Sequence, residues 1–185
     1  AAFYQSCGVM ATTADTTFNF SLPSECFFKM VNCTIGGEDA SKKFKTGVML
    51  RDSSSADQVN AILSDVEGEV SEQGDNFIQN CNIGINAYLD ARVVARGNQI
   101  ENNDTAFYCK ACIVSANNNQ FLQNSYGFVI LSSPAPNNFP SSVYLNLNNF
   151  DCIDQAIQAT GTEDLFVIEN NFQQISKVLP IIQYT

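Results

Sequence analysis

Few residues in this sequence have types and spacing suited to chemistry. Asp90 and Arg92 share the stretch Tyr88-Leu89-Asp90-Ala91-Arg92, which would bring a carboxylate and a guanidinium to one corner of an extended chain. Read plainly they are a surface ion pair of small energetic weight, and a catalytic pairing is the second reading. Asp151 and Asp154 follow Phe150 closely enough to approach one another. Glycoside hydrolysis needs two carboxylates about 5–9 Å apart, but residues flanking a corner sit more naturally in solvent. Histidine is absent, which removes the commonest general base and leaves each serine without its usual partner. Gly36-Gly37 stands alone, with no phosphate-binding loop around it. No catalytic set is assigned, and Asp90 with Arg92 is kept as the runner-up.

The seven cysteines, Cys7, Cys26, Cys33, Cys81, Cys109, Cys112 and Cys152, are an odd and scattered set. Cys109 and Cys112 form a lone Cys-x-x-Cys, and without histidine or a second pair no structural zinc, no other metal and no cofactor is expected. Buried free thiols are the leading reading, with Cys7, Cys26 and Cys33 as the place for a disulfide. Asn32-Cys33-Thr34 and Asn103-Asp104-Thr105 match a glycosylation acceptor, a pattern that an asparagine-rich chain generates by chance.

The elements that must carry these residues are written in a repeat. In register, 70–77, 93–100, 114–121, 143–150 and 165–172 read VSEQGDNF, VVARGNQI, VSANNNQF, VYLNLNNF and LFVIENNF. The closing residues Phe77, Ile100, Phe121, Phe150 and Phe172 are separated by 23, 21, 29 and 22 residues, a solenoid spacing. Apolar residues alternate within each copy, which specifies strand rather than helix. A second strand follows each copy, at 85–89, 106–110, 127–131, 156–160 and 178–182, and Gly84, Ala106, Gly127 and Ala156 open it, as a tight corner would select. Asp75, Asn98, Asn119, Asn148 and Asn170 form a column just before the close. Such side chains suit a left-handed bend and a hydrogen-bonded ladder from copy to copy.

These features resemble the right-handed parallel β-helix of pectate lyases, polygalacturonases, phage tailspikes and periplasmic copper-processing repeat proteins. The resemblance implies an all-β, single-stranded parallel β-helix of about 7 coils of roughly 22 residues. Regular coils would run from residue 70, the helix would span 25–185, and 1–24 would form an irregular N-terminal cap or contact segment. It also offers a test of activity. The polygalacturonase strings are missing, and the histidine element is impossible here. A pectate-lyase site needs an aspartate column for calcium, which does not accompany Asp90 and Arg92.

Before residue 70 the register is looser. Residues 47–50 resemble 127–130 and 59–63 resemble 85–89, so two irregular coils are expected between Ile35 and Phe77. Glu72 falls on an inward phase, where a lone carboxylate is costly, so a bulge or an outward turn is expected there. The 29-residue step is a Pro/Ser/Asn loop at 132–142. The chain opens Ala1-Ala2-Phe3 and is expected to be a processed product or a piece of a longer polypeptide.

The net charge is −10, with nine Lys and Arg spread along the chain, which argues against nucleic acid as a partner. The short run at 42–45 reads as a solvated loop. No apolar run is long enough for a membrane span. Among outward phases, Tyr144, Phe166 and Ile168 make the late copies apolar, marking a covered face, either by the 132–142 loop or at a subunit interface. Tyr88, Tyr108 and Lys110 form a small aromatic and basic patch suited to stacking on a sugar. The expectation is therefore a non-enzymatic structural or recognition module of a virion spike, tail or fibre, or of an extracellular or cell-surface assembly. It would self-associate or bind other subunits. The alternatives are a polysaccharide lyase or hydrolase and a sugar-binding adhesin.

Overall fold

Short runs of alternating residues separated by Asn and Gly corners make strands. In the computed structural model every regular element among the described residues is one. The structure describes residues 7–12, 25–31, 33–37, 39, 41–51, 58–63, 76–88, 91–132, 141–173 and 182–184. At 7–12, 25–29, 51, 58–63 and 182–184 it describes the backbone alone. The strands are β1 (Cys7–Thr12), β2 (Glu25–Met30), β3 (Thr34–Gly36), β4 (Phe44–Arg51), β5 (Gln58–Leu63), β6 (Phe77–Gln79), β7 (Cys81–Tyr88) and β8 (Arg92–Arg96). There follow β9 (Gln99–Glu101), β10 (Thr105–Lys110), β11 (Ile113–Asn117), β12 (Gln120–Leu131), β13 (Ser142–Asn146), β14 (Asn149–Thr160), β15 (Asp164–Ile168), β16 (Asn171–Gln173) and β17 (Ile182–Tyr184).

All the ladders among the described residues are parallel. One sheet runs β2-β5-β8-β11-β13-β15. The other has a long limb, β1-β4-β7-β10-β12-β14-β17, and a short limb, β3-β6-β9-β12-β14-β16. The limbs are joined because β12 and β14 run through both, with register shifts between Leu122 and Tyr126. The fold is all-β with parallel strands, an arrangement compatible with a β-solenoid. Cys7–Thr12, inside the expected N-terminal cap, continues the long limb by pairing with β4.

Register explains the core. Val93, Val114, Val143 and Leu165 align strand to strand in the six-stranded sheet. In the short limb the row is Ile35, Ile78, Ile100, Phe121, Phe150 and Phe172, and in the long limb Val48, Ile85, Phe107, Phe128 and Ile157. Like stacks on like, and the rows merge into one buried cluster. Phe121, Phe150 and Phe172 stack at centroid distances of 4.8 and 5.2 Å, and Phe107 and Phe128 at 4.7 Å. Offset stacking of this kind adds about 0.5–1.5 kcal/mol per pair beyond the area buried.

The small-residue column has a specific cause. A Cβ at Gly127 would lie 2.5 Å from the Ala156 carbonyl oxygen, and one at Gly84 2.7 Å from that of Ala106. The backbones simply come too close for a larger group. The corners themselves use left-handed residues elsewhere: Gly97, Asn118, Leu147 and Glu169 after the six-stranded sheet, and Asn80, Asn102 and Gln123 after the short limb.

Three expectations before residue 78 are corrected. The first copy is displaced by one residue: Phe77 pairs with Gln99 and Ile78 with Ile100, so the buried closing residue is Ile78. Its preceding strand is β5, at 58–63, which pairs with β8 in the six-stranded sheet; 59–63 is thus no counterpart of 85–89 in β7. Ile35 pairs directly with Ile78, so the residues between them make one pass with long connections rather than two. Glu72 and Asp75 lie outside the described residues, as do 133–140 of the long loop.

Candidate functional site

The asparagine column is the best-built polar feature. Asn76, Asn98, Asn119 and Asn148 are buried, and each passes its side-chain Nδ2–H to the Oδ1 of the next, ending on Asn170, at 2.8 to 2.9 Å. The same Oδ1 atoms accept the backbone N–H of the preceding member for Asn119, Asn148 and Asn170. A row of buried amides is tolerable only when each is satisfied, and stacking identical groups at the strand spacing does this. The member contributed by the first copy is Asn76, one residue beyond the expected Asp75. The left-handed bend falls on the residue before Asn98, Asn119, Asn148 and Asn170, not on the ladder itself.

A second row escaped the sequence reading. Asn103 donates to Asn124 Oδ1 at 3.0 Å, Cys81 N–H donates to Asn103 Oδ1 at 2.8 Å, and Asn124 aligns with Cys152. The available signal was an Asn five residues after Asn98 and after Asn119. Asn103 is buried within this row, so its glycosylation pattern is structural. Cysteine ends the row on both sides. Burial, with the Asp151 carboxylate adding to it, pushes the Cys152 thiol up to about 12. Among the described residues Cys109 and Cys112 form a disulfide, while Cys33, Cys81 and Cys152 form none. Cys7 and Cys26 lie in strands whose side chains are outside the description.

The aromatic and basic patch does come together. Lys110 pairs in register with Tyr88 and Tyr108 with Asn86, forming a two-by-two block on the long limb. All four are half-buried, and burial raises the Tyr108 phenol above its ordinary value. Asn86 Oδ1 is buried without a hydrogen-bond partner. Arg92 is exposed at the start of β8, next to Asn60 and Ile113 in register. Asp90 lies outside the described residues. Asp151 accepts a 2.9 Å hydrogen bond from Gln123 Nε2, and Asp154 sits beyond Cys152 on the same strand. Lys43, in the short basic run, is ion-paired to Asp104. Among the described residues no group of three or more Asp, Glu, Cys or His side chains converges as a metal site requires.

On the six-stranded sheet, Tyr144 and Phe166 are register partners with ring centroids 6.1 Å apart, and Ile168 follows at the corner. They are 39%, 51% and 40% exposed. Leu147, at the corner after β13, and Ile113, at the start of β11, were not foreseen and are also exposed. Earlier strands carry Val94 and Ser115 in line with Tyr144, so on this sheet the outward aromatic pair belongs to β13 and β15.

No protein-family model, curated protein or solved structure matches this chain. No helix among the described residues is long and apolar enough to cross a membrane.

Proposed function

We propose that this chain is a single-stranded parallel β-helix that works as a non-enzymatic structural and recognition module, docking other subunits of an assembly such as a virion fibre or an extracellular surface structure. The observation that carries the reading is the exposed cluster Tyr144, Leu147, Phe166 and Ile168 on the last passes of the six-stranded sheet. Large exposed apolar patches mark contact surfaces. Support for the β-helix comes from the constant order in which successive strands join the two sheets, and from nearest-neighbour rows that carry the core.

The test is enzymatic. The purified chain is incubated with a panel of acidic polysaccharides and depolymerisation is followed, with Asp90→Ala and Arg92→Ala alongside. No turnover is expected. Turnover that disappears in both variants would replace this reading by a polysaccharide lyase or hydrolase.

A further inference from the structure

We infer that the outer face of the six-stranded sheet pairs with the same face of a second copy of this chain. The two sheets pack face to face about a two-fold axis parallel to the strands, so that β8 of one copy lies over β15 of the other. This deepens the assembly reading above and rests on it.

The outward residues of four consecutive strands stand in three rows. At the strand starts the row is Arg92, Ile113, Ser142 and Asp164. Along their middles it is Val94, Ser115, Tyr144 and Phe166, and at their ends Arg96, Asn117, Asn146 and Ile168. Arg92, Arg96, Ile113, Tyr144, Asp164 and Phe166 are all exposed. An axis along the strands, midway between β11 and β13, reverses each row in the facing copy and keeps its position along the strand. Every row is thereby matched to its own reverse.

The matches are complementary. Arg92 meets Asp164 of the second copy, and Ile113 meets Ser142. Val94 meets Phe166 and Ser115 meets Tyr144, so each ring of one copy stands over a smaller side chain of the other. Asn117 meets Asn146, two amides that can each donate and accept. Arg96 lies over Ile168, with exposed Glu169 next to it. Each pairing occurs twice, as an isologous contact requires.

The alternative two-fold, with its axis across the strands, lays β8 on β8 and β15 on β15. It would set Arg92 against Arg96, Phe166 against Phe166 and Ser115 against Ser115. Like charges then face each other, and bulky pairs hold the small ones apart, which costs both electrostatics and packing. Packed sheets lie about 10 Å apart with strands crossing at about −30°. That rotation keeps the central pairs together, and the length of an arginine side chain absorbs it at the rim. Four strands of five residues each make a small overlap, below the roughly 1,200 Å² of a standard interface. The dimer is therefore expected to be weak and concentration-dependent.

Sedimentation velocity of the full chain, from micromolar to near-millimolar concentration, tests this. The wild type is expected to show a reversible monomer–dimer equilibrium that weakens with salt. Arg92→Asp and Asp164→Arg each create two like-charge pairs and should each raise the dissociation constant roughly tenfold or more. An equimolar mixture of the two variants restores opposite charges at both sites and should dimerise better than either alone. The double variant keeps the wild-type net charge and should return to within about threefold of wild type. Both positions are exposed, so urea midpoints at the wild-type value report that folding is intact. A chain that stays monomeric at the highest concentration overturns the inference. A dimer indifferent to both reversals, or one that the double variant does not restore, overturns it too, because the copies then use another face or the other axis. Polysaccharide turnover would instead remove the parent reading and leave the dimer result to stand by itself.

Discussion

Replacing Asn119 with Ala tests whether the buried amide row holds the stack together. Asn119 is fully buried. Its Nδ2 donates to Asn148 Oδ1 and to the Ala95 carbonyl, both at 2.9 Å, and its Oδ1 accepts from Asn98 Nδ2 at 2.8 Å and Asn98 N–H at 3.0 Å. Alanine removes all four bonds. Asn148 Oδ1 keeps the Asn119 backbone N–H and Asn98 Nδ2 keeps the Arg96 carbonyl, so the cost is that of the four removed bonds at a buried site. A buried group deprived of its partner costs about 1–3 kcal/mol, so the expected loss is roughly 3–5 kcal/mol with the lost packing included. The control is Asn171→Ala, which removes an exposed 3.1 Å bond to Asn149 Oδ1 and should cost no more than about 0.5 kcal/mol. Urea unfolding of the two variants, compared at unchanged slope, gives both numbers. A loss below about 1 kcal/mol for Asn119→Ala, or equal losses for the two, would refute the reasoning.

Gly127→Ala should destabilise by about 1–3 kcal/mol or more, because its Cβ would meet the Ala156 carbonyl oxygen at 2.5 Å and the Phe150 ring at 2.8 Å; an unchanged urea midpoint would contradict this. Leu147 holds a left-handed φ of 55° while exposed, so Leu147→Asn should stabilise by up to about 1 kcal/mol; a lowered thermal midpoint would contradict this. With its folded-state value near 12, the Cys152 thiol stays protonated where an ordinary thiol ionises. Below about 9 both states are neutral and the contribution to stability is complete; it is lost as pH rises from there towards 12, because only the unfolded chain releases its proton. Urea midpoints across that window should fall further for wild type than for Cys152→Ala, and rapid native-state alkylation of Cys152 at pH 9 would count against it.

Much of the late chain was legible because its signals are redundant. From Val93 onward each copy carries a β-branched or leucine opener and an Asn before the close, and all but the last a small residue at the narrow approach, and these signals agree. Residues 70–77 misled because Asp75-Asn76-Phe77-Ile78 offers two adjacent amide or acid residues and two adjacent apolar ones, and a one-residue slip satisfies the motif equally well. What fixes the register is burial of Ile78 on Ile100, a long-range fact. The strand at 58–63 was aligned with the wrong sheet because twelve residues or more separate it from β6, which breaks the fixed spacing. The second row hid because cysteine stands where asparagine would complete it, at Cys81 and Cys152. The apolar outer patch was visible through Tyr144, Phe166 and Ile168. Ile113 and Leu147 were not, since their exposure follows from a strand start and a left-handed corner rather than from alternation.

The claim beneath all of this is that residues some twenty positions apart lie one strand spacing apart, in unbroken rows. Methyl-to-methyl NOE spectroscopy on selectively labelled valines measures it directly. Val114 should show strong contacts to both Val93 and Val143, at about the 4.8 Å strand spacing, while Val93 and Val143, about 9.6 Å apart, should show none at short mixing time. A direct contact between Val93 and Val143, or none from Val114 to either, would contradict the stacked order.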